Sequence, residues 1–151
     1  MSNRLSQLIA TFFYLGYFPF ASGSLAGMAG GAIAIFLHRV PFLHLIFFAI
    51  VTALGFYASD RMEKWMKEKD PSCIVIDEVA GVLIAFFMLP VRPSVVISAF
   101  FLFRAFDMFK IYPANKFEEI KGGSGVMMDD IVAGIYTNLV MQIAVRLAGI
   151  I

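Results

Sequence analysis

The chain has 151 residues, the length of one domain, and 60% of them are hydrophobic while 15% are charged. A soluble domain of this size could not hide so much apolar surface, which includes 17 phenylalanines, so we predict a single membrane-embedded domain over residues 1–151. The net charge of +1 and the lack of any nucleic-acid-binding motif argue against a nucleic-acid partner.

Apolar segments separated by turns predict the first half of the chain to be helical. We expect a first helix over residues 4–17 and a second over 24–38, with a turn containing Pro19 and Gly23 between them. The first helix is short for a full span of about 20 residues. A third apolar segment, 41–58, continues as a charged amphipathic helix over 59–69.

The second half repeats this pattern. We expect a fourth helix over 76–89, a fifth over 94–110, a short polar helix over 114–120 and a last helix over 127–148. The apolar segments are too long for the short alternating strands of a membrane barrel. The sequence therefore predicts an all-α integral membrane helical bundle with four to six membrane-embedded helices and short amphipathic helices.

Basic residues predict the orientation of the bundle. If helices three to six alternate in direction, the segments 59–76 and 110–126 share one face, and the acidic clusters lie on that face too. By the positive-inside rule this face is cytoplasmic, because it holds more basic residues than the opposite face, which has Arg39, Arg92 and Arg146. The residues on the predicted cytoplasmic face are Arg61, Lys64, Lys67, Lys69, Lys110, Lys116 and Lys121.

Two acidic pairs, Asp77-Glu78 and Asp129-Asp130, are each predicted at the start of an apolar helix and each precede an Ala-Gly pair. A carboxylate at mid-membrane depth costs about 2.5–3.5 kcal/mol on insertion scales, so these groups should be shallow, paired or bound to cations. They could simply cap helices, with Ala-Gly allowing close helix contact. Four converging carboxylates would also suit Mg²⁺, which prefers oxygen ligands.

A third charged group consists of Arg104, Asp107 and Lys110, spaced by three residues along one helical face. It could be a salt-bridge ladder within one helix. Alternatively, Asp107 could bind metal or activate water while Arg104 and Lys110 bind phosphate oxygens. Ser24 and Ser124 lie in small-residue loops before helices, where free backbone N–H groups can bind phosphate.

Three segments, 76–81, 103–113 and 123–134, resemble in order and spacing the signature blocks of the phosphatidylglycerophosphatase A family. The resemblance extends over nearly the whole chain. The family's N-terminal Pro-Gly-Thr-x-Gly-Ser loop corresponds only in part to Ser22–Gly27, where Ser24 replaces the threonine and keeps a hydroxyl.

The resemblance implies a Mg²⁺-dependent enzyme of the bacterial inner membrane that hydrolyses the anionic lipid phosphatidylglycerophosphate to phosphatidylglycerol. Water or an aspartate would be the attacking group, and Asp107 would be a metal ligand or general base. The alternative function is a membrane cation or proton carrier that uses intramembrane acids as a relay. The expected metal ligands are Asp77, Glu78, Asp129 and Asp130, and the expected phosphate-binding residues are Arg104, Lys110, Ser24 and Ser124.

Overall fold

The computed structural model of the chain describes residues 3–120 and 122–149, which form seven α-helices and no β-strand. The predicted all-α class is confirmed. In chain order the helices are α1 (Asn3–Ala10), α2 (Ser22–Leu37), α3 (Pro41–Met66), α4 (Ile76–Ala85), α5 (Pro93–Phe109), α6 (Ala114–Glu118) and α7 (Gly123–Leu147), with a short 3-10 turn (Leu15–Tyr17) before α2.

Within the described residues, two helices, α3 and α7, are long and apolar enough to cross a membrane. Helix α2 is apolar but has only 16 residues. The presence of four to six embedded helices therefore stays a prediction. Large apolar side chains cover much of the exterior, as at Phe36 and Leu147, which suits contact with lipid. Lys121, used above for orientation, lies outside the described residues.

The first helix is shorter than predicted, because α1 ends at Ala10 instead of residue 17. The hydroxyl of Thr11 donates to the carbonyl of Gln7 at 2.8 Å and accepts the N–H of Tyr14 at 3.1 Å. Residues 12–14 all have positive φ, which an α-helix cannot contain. The third segment and most of the amphipathic segment form one continuous helix, α3, which ends at Met66 instead of residue 69.

Contacts between helices explain two further differences from prediction. Helix α4 ends at Ala85, four residues early, because the side-chain amide of Asn138 on α7 donates to the carbonyls of Ala85 at 3.0 Å and Phe87 at 2.7 Å. These bonds satisfy carbonyls that a helix end leaves open. Helix α7 begins at Gly123, four residues early, directly after Gly122, whose φ is +85°.

Helix α4 is the centre of the bundle, and eight of its ten residues are buried. It packs against α7, α2 and α3. At the crossing with α7, a β-carbon added to Gly134 would overlap the carbonyl of Gly81, so the two backbones touch directly. The explanation that the Ala-Gly pairs allow close helix contact is confirmed for these two glycines.

Candidate functional site

Both predicted acidic pairs are brought to one end of the bundle. Asp77 and Glu78 lie in the first turn of α4, as predicted for a helix start. Asp129 and Asp130 do not lie at a helix start, because α7 begins at Gly123 and already includes a full turn before them. The capping explanation is therefore wrong for that pair. Three of the four residues are buried, with exposed fractions of 9% for Asp77, 7% for Asp129 and 4% for Asp130.

Arg104 on α5 connects two acidic side chains from different helices. Its Nη1 contacts the carboxylate of Glu78 on α4 and lies 3.0 Å from Oδ2 of Asp107, one turn along α5. All three side chains are largely buried, so the contacts are partly shielded from water. One nitrogen of the guanidinium makes both contacts, and a guanidinium carries five N–H donors in all.

Lys110 does not continue the predicted ladder along α5. It follows the last residue of the helix with φ of +44°, and this left-handed conformation turns its side chain toward α7. Its Nζ lies 3.0 Å from Oδ2 of Asp129. The ladder explanation therefore holds for Arg104 and Asp107 alone, and the two basic residues serve different acidic neighbours.

The site carries more negative than positive charge. Five carboxylates meet at the junction of α4, α5 and α7, and Asp130 is close enough to Asp77 and Asp107 for their charges to repel its own. Among the residues that the structure describes, two basic side chains form ion pairs with this group, those of Arg104 and Lys110. Buried carboxylates in such excess need a cation or protons for balance. The five carboxylates are Asp77, Glu78, Asp107, Asp129 and Asp130.

These donors suit Mg²⁺ by their chemistry, because all are hard oxygen ligands. Within residues 3–120 and 122–149, no group of three or more His, Cys, Asp or Glu side chains is arranged as a ready metal site. Mg²⁺ needs only one or two carboxylates when water and substrate phosphate supply its other ligands. Asp77 and Asp130, which are close enough for their charges to repel, have the ligand type for that mode.

One acidic neighbour was missed by sequence reasoning. Asp70, which directly follows the predicted amphipathic segment 59–69, lies close enough to repel the carboxylates of Asp77, Glu78 and Asp129. Its backbone N–H donates to Oε1 of Glu63 at 2.8 Å, and its φ is +49°. An Asp-Pro pair is typical of a turn, so the pattern gave no sign of proximity to the site.

The two predicted serine loops lie in different surroundings. Ser24 is half-buried in the first turn of α2, and a β-carbon on the preceding Gly23 would overlap the carboxylate of Glu78. The start of α2 is therefore part of the site. Ser124 is exposed in the first turn of α7, where the adjacent Gly123 packs against the carbonyl of Phe56. The phosphate-binding role of both serines stays a prediction.

Cys73 lies just before α4 but is unsuited to act as a nucleophile. The thiol is buried and its Sγ lies 3.7 Å from the Met66 sulfur. Burial raises the pKa of the Cys73 thiol, which disfavours the reactive thiolate.

Comparison with known proteins identifies the family. The family model of phosphatidylglycerophosphatase A matches residues 8–145. The chain belongs to the phosphatidylglycerophosphatase A family. It is therefore a phosphoric monoester hydrolase, as the resemblance implied.

Three curated relatives, all bacterial, support this assignment. A putative phosphatidylinositol-3-phosphatase of Bacteroides thetaiotaomicron is 38% identical over 149 residues, which is 93% of each chain. Phosphatidylglycerophosphatase A of Haemophilus influenzae is 38% identical over 128 residues, 82% of this chain and 76% of the relative. The Escherichia coli protein of the same name is 34% identical over 141 residues, 89% of this chain and 80% of the relative. No solved structure matches the chain.

Proposed function

We propose that the protein is a Mg²⁺-dependent lipid phosphatase that hydrolyses phosphatidylglycerophosphate to phosphatidylglycerol and phosphate. The observation that carries this proposal is the buried group of five carboxylates held beside Arg104 and Lys110, in a chain of this family. The protein would be a multi-pass protein of the bacterial inner membrane. Its site would face the cytoplasm, in agreement with the distribution of basic residues.

The residues divide into three tasks. Asp77, Glu78, Asp129 and Asp130 would hold Mg²⁺, and when bound the ion would screen the phosphate charge and lower the pKa of a nearby water. Arg104 and Lys110 would bind phosphate oxygens, and Ser24 and Ser124 would add hydroxyl donors. Asp107 would accept a proton from the attacking water as the water oxygen bonds to phosphorus, and would return that proton to the glycerol oxygen as its bond to phosphorus breaks.

The pairing of the basic residues supports these tasks. Arg104 already contacts Glu78 and Asp107, and Lys110 contacts Asp129. These carboxylates fix the basic groups in place before a substrate arrives. Such preorganisation means that the substrate phosphate would meet donors that need little rearrangement.

Phosphate release by the purified protein tests the proposal. We expect release from phosphatidylglycerophosphate with Mg²⁺ and none after removal of Mg²⁺ with EDTA. Asp77→Asn and Asp129→Asn should each lower kcat at least 100-fold, a typical loss for an essential polar group. Glu68→Gln, which removes an exposed charge on the same predicted face, is the matched control. Full activity of both aspartate variants would refute the metal-ligand assignment.

A second substrate deserves a parallel assay because of the Bacteroides relative. That relative is named a putative phosphatidylinositol-3-phosphatase and matches 93% of this chain. Phosphatidylinositol 3-phosphate carries the same chemical group, a phosphate monoester on the polyol headgroup of an anionic phospholipid. A higher kcat/KM on that lipid would reassign the headgroup without changing the reaction. The carrier alternative is tested by ion flux in liposomes, where we expect none.

A further inference from the structure

A groove on the outside of the bundle leads toward the site. It lies between α2 and α5, which make few direct contacts because α2 packs mainly against α4 and α5 mainly against α7. The groove has a volume of about 420 Å³, within the usual range for small-molecule sites of roughly 300–1,000 Å³. Phe86, just after α4, forms part of its wall. Its other main lining residues are apolar: Met28, Ala32 and Ile35 from α2, and Ile97, Phe100 and Phe101 from α5.

The inner end of the groove meets the acidic group. Gly27 lies between them, since a β-carbon added there would be 3.3 Å from the ring of Phe100 and 3.9 Å from Oε2 of Glu78. Glu78 is the partner of Arg104, which lies one turn beyond Phe100 on α5. The apolar groove and the charged site are thus continuous.

The groove extends the same length away from the site along both of the helices that form it. Helix α2 runs away from the site beginning at Gly23, and α5 runs toward it and ends near Asp107. From Gly27 to Ile35, and from Arg104 back to Val96, there are eight residues, or about 12 Å of helix rise. An elongated apolar ligand could therefore lie along the groove with its polar end at Arg104.

We propose that this groove binds one acyl chain of the lipid substrate and thereby holds the headgroup phosphate at Arg104. The inference rests on the proposed function and adds a substrate-binding surface to it. The combination of an apolar groove and a cationic end matches an anionic phospholipid, whose phosphate is joined to long hydrocarbon chains. The groove is open along its side, because Met28, Ile97 and Phe101 are all more than half exposed. A lipid could enter sideways from the bilayer.

Filling the groove tests the proposal. Ala32 is exposed in the groove, so Ala32→Leu should add bulk there without disturbing the core. Ala49→Leu, at an exposed position on α3 outside the groove, is the matched control. Each protein is assayed on two substrates with the same phosphoglycerol phosphate headgroup, one with long acyl chains and one with short, water-soluble chains. Thermal unfolding in detergent checks that both variants fold.

We expect Ala32→Leu to lower kcat/KM for the long-chain substrate by roughly tenfold, the usual effect of changing the volume of an apolar pocket. The short-chain substrate should change less than twofold, and Ala49→Leu should resemble the wild type on both. Equal losses on both substrates, or none on either, would overturn the acyl-chain assignment. If Ala32→Leu dissociated a dimer and left the ratio of kcat/KM between the two substrates unchanged, the groove would bind a second copy of the chain and not an acyl chain. A wild-type protein inactive on both substrates would instead refute the proposed function itself.

Discussion

Glu63 accepts hydrogen bonds from two segments that border the site, and its replacement tests whether these bonds hold the segments in place. Its Oε1 accepts the N–H of Asp70 at 2.8 Å, and its Oε2 accepts the N–H of Gly122 at 2.7 Å. The first segment carries Asp70 toward the acidic group, and the second starts α7. One carboxylate near the end of α3 therefore fixes both segments at once.

The cost of replacement follows from the two bonds. A hydrogen bond to a charged group contributes about 1.5–3 kcal/mol, and an exposed one contributes less. Glu63→Gln keeps the shape of the side chain but leaves one oxygen to accept a hydrogen bond. Its NH₂ group would face the other backbone N–H, which is also a donor. We expect it to lose the more exposed bond to Asp70, at about 1 kcal/mol. Glu63→Ala loses both bonds and should cost about 2–3 kcal/mol.

Amide hydrogen exchange measures the effect segment by segment. Because about 1.4 kcal/mol corresponds to a factor of ten, Glu63→Gln should speed exchange at Asp70 by about fivefold and leave Gly122 nearly unchanged. Glu63→Ala should speed exchange at both. Glu68→Gln, an exposed charge just beyond α3, is the control. If exchange at both amides matched the control in both Glu63 variants, the assigned role of Glu63 would be wrong.

Three further changes have definite expected outcomes. Gly134→Val should lower the free energy of unfolding by about 1–3 kcal/mol, because the added side chain would overpack against α4. Leu139→Ala, on the exposed side of α7, should leave it nearly unchanged, and thermal unfolding in detergent compares the two variants. Gly122→Ala should destabilise more than Gly149→Ala, since both have positive φ but only Gly122 also has a side-chain oxygen within 2.7 Å of the added carbon. Arg104→Lys keeps the charge but removes the planar guanidinium, whose Nη1 contacts Glu78 and Asp107 and whose other N–H donors could bind phosphate. We therefore expect kcat to fall at least tenfold with a smaller change in stability, and unchanged kcat would contradict the phosphate-binding role.

Much of the fold could be predicted because long apolar segments and turn residues mark helices directly. The ends were less predictable, since tertiary contacts set them. Helix α4 stops where Asn138 of another helix binds its last carbonyls, and α7 starts early after Gly122, which Glu63 holds. Local sequence near those ends contains no sign of either partner.

The proximity of the acidic and basic residues was predicted better than the contacts among them. The sequence placed five carboxylates and two basic residues on one face, and the structure brings all seven together. It did not predict that Lys110 would turn away from α5, because the left-handed residue that ends the helix is a lysine and not the usual glycine. Nor did it indicate Asp70, whose proximity depends on the fold of the segment after α3.

The two acidic segments share one pattern, an acidic pair followed by Ala-Gly, and helix packing explains why this pattern would matter for function. Asp77 lies four residues before Gly81, and Asp130 lies four residues before Gly134, so each aspartate shares a helical face with its glycine. Because the two glycines bring α4 and α7 into backbone contact, and both helices run away from the site, the two aspartates must face each other one turn nearer the site. A side chain at either glycine would separate the helices and, with them, the two carboxylates. The spacing of aspartate and glycine therefore sets the separation of the carboxylates that we propose share Mg²⁺.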